Sequence, residues 1–182
     1  KRIGGKGSMD SRKNGEFKVL DNVIKKSGDK VTFVDGGANV GAHSLYFLNL
    51  CKKYNKKPSL FAVEPFPSTR EVLSSNLKGE SCKILPIALG DETKKVKFYY
   101  DEGDASGANS VVDHYYLNSG EIEVQQERLD KVGIENDISK IDFLKLDVEG
   151  AELSALIGAE SLLQNKKIRY IQLEYNQTWI KG

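Results

Sequence analysis

The sequence has little cysteine, histidine and proline, and it has no long hydrophobic run. Only two cysteines and two histidines occur among 182 residues, and Cys51 and Cys82 do not form a C-x-x-C pair. This scarcity argues against a zinc site and a disulfide framework. No apolar run approaches the roughly 20 residues that cross a bilayer, and no signal core opens the sequence. We therefore expect a soluble, cytoplasmic protein that does not bind membranes.

Charge of one sign is also lacking, since 27 Lys and Arg balance 26 Asp and Glu and the two signs are interspersed. This balance predicts no nucleic-acid partner. The length suits one domain with a sizeable core. Residues 1–10 are rich in glycine and lysine and are expected to be a tag or a disordered leader, which leaves 11–182 as the domain.

Short apolar runs alternate with amphipathic helical patterns along most of the chain, and the last such pattern predicts a helix from Ala151 to Leu163. Five runs are predicted as core strands: Val31 to Val34, Leu60 to Val63, Lys83 to Leu89, Ile141 to Leu146 and Ile168 to Leu173. Such alternation predicts an α/β fold with a doubly wound, mostly parallel sheet, whose ligands bind beyond the carboxyl ends of the strands. Between about 91 and 130 the pattern changes and indicates an antiparallel insertion.

A small-residue loop, Asp35-Gly36-Gly37-Ala38-Asn39-Val40-Gly41, joins the first strand to a helix. Glycine permits sharp turns and close approach to a ligand, and asparagine tolerates a left-handed backbone. Glu64 ends the second strand 23 residues beyond Gly41, a separation at which a carboxylate can accept hydrogen bonds from ribose hydroxyls. An ordinary strand-to-helix turn is the alternative, but the combination of loop, helix, strand and acid favours an adenosine cofactor.

The dinucleotide fingerprint G-x-G-x-x-G fails in this loop, because Ala38 stands where its second glycine is needed. The same residues, written D-x-G-x-N-x-G, place a carboxylate at the strand end that suits a ligand with an ammonium group. They resemble motif I of class I S-adenosylmethionine-dependent methyltransferases, with Asn39 in place of the commoner glycine.

The resemblance extends to several later segments, from about Val31 to Asn176: Val63-Glu64-Pro65, Pro86 to Asp91, Arg128-Leu129-Asp130, Phe143 to Glu152 and Gly158-Ala159. Together they are similar to the FkbM methyltransferase family. This resemblance implies a Rossmann-like sheet and S-adenosylmethionine-dependent methylation of a hydroxyl on a sugar or small metabolite. A complete sheet of that class adds two further strands, so we expect the last strands to be missing here.

The resemblance also implies a cofactor site. The loop residues Asp35, Gly36, Gly37, Ala38, Asn39 and Gly41 would contact the methionine part, and Glu64 with Pro65 the ribose. Phe66, Ala88 and Leu89 would border adenine, and Phe66 could stack on the purine or simply pack in the core.

Asp147 and Glu149 are the candidate catalytic residues, and Asp147 also borders the cofactor. A carboxylate at the carboxyl end of a core strand can orient the acceptor hydroxyl and take its proton. Alternatively, Glu149 merely favours a helix N-terminus. Asp147, Glu174 and Asn176 could meet around a divalent metal, although spacing alone does not establish a metal site.

The polar stretch from Asp101 to Tyr116 is expected to shape acceptor choice. Two other functions stay open on sequence alone: a catalytically silent nucleoside-binding scaffold and a nicotinamide-dependent oxidoreductase.

Overall fold

The computed structural model describes residues 15–100, 110–112 and 120–174. The helices are α1 Glu16–Lys26, α2 Ala42–Lys53, α3 Pro67–Asn76, α4 Leu129–Glu135, α5 Glu152–Ile157 and α6 Glu160–Gln164. The strands are β1 Lys30–Gly36, β2 Lys57–Val63, β3 Cys82–Leu85, β4 Ala88–Leu89, β5 Lys94–Tyr100, β6 Gly120–Glu127, β7 Phe143–Leu146 and β8 Ile171–Leu173.

The main sheet has five strands in the order β3-β2-β1-β7-β8, and all of its pairings are parallel. The chain builds outward from β1 to β2 and β3, and then returns to add β7 and β8 on the other side. The predicted doubly wound α/β fold is therefore confirmed. In such sheets the strand order reverses at one point, here between β1 and β7, and a crevice opens there beyond the carboxyl ends.

Residues two apart along a strand share a face, and the two faces of the main sheet have separate cores. On the face that packs against α1 and α2, the ring of Phe33 lies 5.1 Å from that of Phe47 and 5.6 Å from that of Phe143. Val34 and Leu144 belong to the core on the opposite face. Full burial of each such side chain contributes about 1.5–3 kcal/mol to the free energy of unfolding, so these cores fix strand register.

A second sheet of three strands, in the order β4-β6-β5, contains the predicted insertion. β5 and β6 are antiparallel as expected, but β4 pairs parallel with β6, so the sheet is mixed. The single third strand predicted from Lys83 to Leu89 was wrong. Its first part is β3 of the main sheet, and its last two residues form β4. Pro86 lies between them and has no N–H to donate to a ladder.

The helix predicted from Ala151 to Leu163 is divided into α5 and α6 at Gly158. A Cβ on Gly158 would lie 2.0 Å from the carbonyl oxygen of Gly90, so the chain after β4 packs directly on this break. The last predicted strand is shorter than expected, with Ile168 forming only an isolated bridge to Ile141. α4 was not predicted.

Several sequence predictions lie outside the described residues, namely the leader at 1–10, most of the stretch from Asp101 to Tyr116, and Asn176. Within the described ranges, no helix combines the length and the apolar character needed to cross a bilayer.

Candidate active site

A pocket opens beyond the carboxyl ends of β1, β2, β7 and β8, with the second sheet forming one wall. It is lined by the following residues: Gly37, Asn39, Val63, Glu64, Pro65, Thr69, Ile87, Ala88, Leu89, Phe98, Val111, Asp147, Val148, Glu149, Ala151 and Glu174. This is the place where a doubly wound sheet binds ligands.

Of the residues proposed from sequence for catalysis or cofactor binding, eight line this one pocket: Gly37, Asn39, Glu64, Pro65, Ala88, Leu89, Asp147 and Glu149. The other five lie elsewhere: Asp35, Gly36, Ala38, Gly41 and Phe66 do not line it. The structure thus brings together the carboxylates and the backbone of three separate loops, and their roles remain predictions.

The glycines of the first loop make room for neighbouring chain rather than only for a ligand. Gly37 has φ +73°, and a Cβ there would lie 1.9 Å from the carbonyl oxygen of Asp147. At Gly41, with φ +91°, a Cβ would approach Leu73 Cδ1 to 2.8 Å. Asn39 adopts φ 49°, as its tolerance of the left-handed region allows. The loop is therefore held tightly against the end of β7.

The carboxylate of Glu64 is fixed at the pocket by two backbone amides. Asn39 N–H donates to Oε2 and Phe66 N–H donates to Oε1, both at 3.0 Å. Burial raises the pKa of Glu64, and these two hydrogen bonds oppose that effect. Each carboxylate oxygen has a second lone pair, so the group can accept two ribose hydroxyls without losing its backbone contacts. The residues present therefore fit a nucleoside.

Asp35 is fully buried and turned into the sheet. Ser44 Oγ donates to its Oδ2 at 2.7 Å, and Lys145 Nζ lies 3.6 Å from its Oδ1. The carboxylate therefore supports the loop from below and does not face the pocket.

Asp147 and Glu174 form a hydrogen-bonded carboxyl pair at the ends of β7 and β8. The hydrogen bond to Asp147, followed by burial and the neighbouring negative charges, raises the pKa of Glu174 to about 8. Burial alone would raise the pKa of Asp147, but Lys145 and the hydrogen bond from Glu174 hold it below its usual value. Near neutral pH, a protonated Glu174 thus donates to an ionised Asp147.

Glu149 joins this pair, since one oxygen from each of the three carboxyl groups lies within 4.8 Å of the others. Oxygen ligands of this kind are what Ca²⁺ or Mg²⁺ takes. The three residues could hold such an ion, but nothing else in the described part of the chain points to one.

The turn that carries Asp147 and Glu149 is held by a buried acid. Both oxygens of Glu152, which is 0 % exposed, accept backbone N–H groups at 3.0 Å, one from Val148 and one from Gly150. Glu149 adopts φ 52°, an unfavourable value for its side-chain type. Its carbonyl accepts a 2.7 Å hydrogen bond from Ser110 Oγ. The local backbone is thus fixed from two sides.

Phe66 packs against the core of the second sheet, which is one of the two roles that the sequence left open for it. Phe66 stacks on Phe98 at 6.1 Å and contacts Tyr100 at 4.8 Å, whereas Phe98 is the aromatic residue that lines the pocket. Sequence reasoning missed Phe98, Thr69, Ile87 and Val111, and it considered Glu174 only as a metal ligand. The alternation of apolar and charged residues at Val96, Lys97 and Phe98 was the available sequence signal for Phe98.

Other residues of the family-like segments support the scaffold. The Arg128 guanidinium donates to the carbonyl oxygen of Asp91 at 2.6 Å. The Asp130 carboxylate accepts the N–H groups of Ser161 and Leu162 at 3.0 and 2.9 Å, which satisfies amides in the first turn of α6. These contacts join the second sheet, α4 and α6.

Comparisons with known proteins agree with this arrangement. Relatives include the AMB antimetabolite synthetase AmbE of Pseudomonas aeruginosa, 28% identical over 85% of this chain and 9% of its own length. The 2-O-methyltransferase NoeI of Sinorhizobium fredii is 27% identical over 79% of this chain, and the hexuronic acid methyltransferase AglP of Haloferax volcanii is 23% identical over 87%. The chain spans 62% of the length of each of these two methyltransferases.

No solved structure matches the chain significantly. The methyltransferase FkbM domain, however, matches residues 35–181, which is most of the chain and includes every element from the end of β1 to β8. The chain therefore belongs to the FkbM methyltransferase family.

Proposed function

We propose that this protein transfers a methyl group from S-adenosylmethionine to a hydroxyl group of a sugar or small metabolite. The observation that carries the proposal is a single pocket with two chemically different sides. One side holds Glu64 and the loop after β1, and the other holds the Asp147 and Glu174 carboxyl pair. A nucleoside cofactor and a hydroxyl acceptor need these two kinds of surface.

On the cofactor side, Glu64 accepts the ribose hydroxyls, and Asn39 and Gly37 border the methionine part. Pro65, Ala88 and Leu89 provide an apolar border for adenine. When bound, S-adenosylmethionine supplies a methyl carbon on a sulfonium, and the sulfur keeps the bonding pair of the broken C–S bond as the new C–O bond forms.

On the acceptor side, Asp147 receives a hydrogen bond from the acceptor hydroxyl and thereby orients its oxygen. Most of the acceleration comes from this positioning, and the base adds to it by removing the proton. The proton passes to the ionised Asp147, which already accepts a hydrogen bond from Glu174. Glu149 lies beside the pair and provides a further acceptor for sugar hydroxyls.

The names of two relatives support an oxygen acceptor on a sugar. One is a 2-O-methyltransferase and the other acts on a hexuronic acid. Family membership also favours methyl transfer over the nicotinamide-dependent oxidoreductase that the sequence left open.

The first test is calorimetric titration of the protein with S-adenosylhomocysteine. Removing a charged acceptor of hydrogen bonds costs about 1.5–3 kcal/mol, so Glu64→Ala is expected to weaken binding about 10- to 100-fold. Glu71→Ala, which removes an exposed acid from α3, is the matched control and is expected to bind normally. Unchanged affinity in Glu64→Ala would overturn the cofactor assignment.

The second test offers radiolabelled S-adenosylmethionine together with a panel of glycans, free sugars and hydroxylated metabolites. Label in an acceptor, lost in Asp147→Asn, supports the proposal. Tight cofactor binding with no labelled product from any acceptor would instead indicate the silent scaffold.

A further inference from the structure

Lys145 is a lysine buried beneath the pocket, with 5% of its side chain exposed. It lies on β7 in register with Asp35 on β1, and its ammonium contacts residues at the ends of both strands. Its ammonium is 3.6 Å from Asp35 Oδ1, 3.0 Å from Asp147 Oδ2 and 3.4 Å from the carbonyl oxygen of Gly37. Lys145 therefore connects the loop after β1 with the candidate catalytic carboxylate after β7.

The position explains why a cation is tolerated here. Asp35 Oδ1 is buried and has no hydrogen-bond partner among the described residues, so the lysine is its nearest source of compensation. Although burial alone would lower it, Asp35 and Asp147 hold the pKa of Lys145 above its usual value. Of the two carboxylates that flank Lys145, only Asp147 lines the pocket. Asp35 therefore fixes the position of the ammonium from within the sheet, and the ammonium in turn holds the carboxylate of Asp147.

We propose that Lys145 is a positioning residue that holds the Asp147 carboxylate, 3.0 Å from its ammonium, toward the acceptor hydroxyl. This inference rests on the proposed function, because it assigns Lys145 a role in the proton transfer described there. Lys145 does not line the pocket, so its effect passes through Asp147 and through the carbonyl of Gly37.

Other charged groups also face Lys145 and Asp147, and they contribute to any pH titration of these two residues. Glu174, directly after β8, and His43 from α2 act on Asp147, and Glu149 from the turn after β7 acts on Glu174. Glu16 from α1 acts on Lys145, and its carboxylate lies 3.0 Å from His43 Nε2. Burial and the charge of Lys145 lower the pKa of His43, so this histidine is neutral over the range in which Glu174 titrates.

The test is a carbon-13 NMR titration of the Asp147 carboxyl group, assigned by comparison with Asp147→Asn. Lys145→Met removes the charge at similar size, and loss of an opposite charge at this distance is expected to raise the Asp147 midpoint by about 1 to 3 pH units. Lys145→Arg is expected to restore most of the original midpoint. Lys83→Met, on an exposed position of β3, is the matched control and is expected to leave it unchanged.

Lys145→Met leaves the buried carboxylate of Asp35 without its cation, and this variant could fail to fold for that reason. A second variant avoids the unpaired buried charge. Asp35→Asn combined with Lys145→Met removes both buried charges, and it is expected to fold and to show the same raised midpoint. An unchanged midpoint in either folded variant would overturn the inference. This readout needs neither cofactor nor acceptor, so its failure is distinguishable from a failure to bind S-adenosylhomocysteine.

Discussion

The carboxyl groups of Glu174 and Asp147 meet across the ends of the neighbouring parallel strands β8 and β7, with one oxygen of each within 4.8 Å of the other. The two residues directly follow the paired residues Leu146 and Leu173, and Glu174 N–H also donates to the carbonyl oxygen of Leu146 at 3.0 Å. The sheet itself therefore sets the separation of the two carboxyl groups.

This pair predicts how stability changes with pH. The pKa of Glu174 is raised from 4.5 to about 8, so between these values the folded protein holds a proton that the unfolded chain has lost. The contribution of Glu174 is complete below pH 4.5 and is lost as the pH rises through about 8. Wild-type protein is therefore expected to lose stability relative to Glu174→Gln between pH 5 and pH 9, as measured by urea denaturation.

Two features make that measurement specific. The lowered pKa of Asp147 acts in the opposite sense, but only below its ordinary value of 3.8, which is outside this range. Glu71→Gln, at an exposed position, is expected to show no such pH-dependent difference. A constant difference between wild type and Glu174→Gln across the range would contradict the shared proton.

Glu152 is expected to be essential for the turn that carries Asp147 and Glu149. Glu152→Ala removes the acceptor of two backbone N–H groups in a fully buried position, so the free energy of unfolding is expected to fall by about 2–4 kcal/mol. Chemical denaturation measures the loss. Glu160→Ala, an exposed acid in the first turn of α6, is expected to cost less than about 1 kcal/mol. Equal effects would show that the turn does not depend on this carboxylate.

Gly158 is expected to tolerate no side chain. Its backbone angles suit alanine, with φ −65° and ψ −12°, so the main obstacle is the 2.0 Å approach of a Cβ to the carbonyl oxygen of Gly90. Gly158→Ala is expected to lower the free energy of unfolding by about 3 kcal/mol, because two backbone segments must separate. In Gly28→Ala a Cβ meets nothing within 4 Å, and thermal denaturation is expected to show little change.

Phe98 and Phe66 can be distinguished by ligand binding. Phe98 lines the pocket and is 4% exposed, so Phe98→Leu is expected to weaken S-adenosylhomocysteine binding about three- to tenfold. Phe66→Leu removes a ring that stacks on Phe98 from outside the pocket, and a smaller effect is expected in calorimetry. The reverse order would support the direct stacking of Phe66 on adenine that the sequence suggested.

The predictable parts of the molecule were those that depend on local pattern. Apolar runs gave β1, β2 and β7 within a few residues, and a parallel sheet necessarily brings Glu64 and Asp147 to the same edge. The family-like segments indicated the same edge independently. What lies within a few residues of a strand end could thus be predicted as belonging to the site.

The parts that were missed depend on contacts distant in sequence. The division of the helix at Gly158 depends on its packing against Gly90, and the orientation of Phe98 depends on how the second sheet folds back over the first. Asp35 resembles a ligand-binding acid in sequence, but its carboxylate is paired with Lys145, which lies far away in the sequence, and so it is buried in the sheet. No local pattern contains such information.

The short strand β4 has a consequence for how the shape of this pocket can change. Its residues Ala88 and Leu89 line the pocket and also hydrogen-bond into the second sheet, so that wall is physically continuous with β5 and β6. Insertions or substitutions in the second sheet would therefore reshape the wall of the pocket that this sheet forms. The positions of Asp147 and Glu174 are set by the pairing of β7 with β8 in the large sheet, so such changes would leave these two carboxyl groups in place.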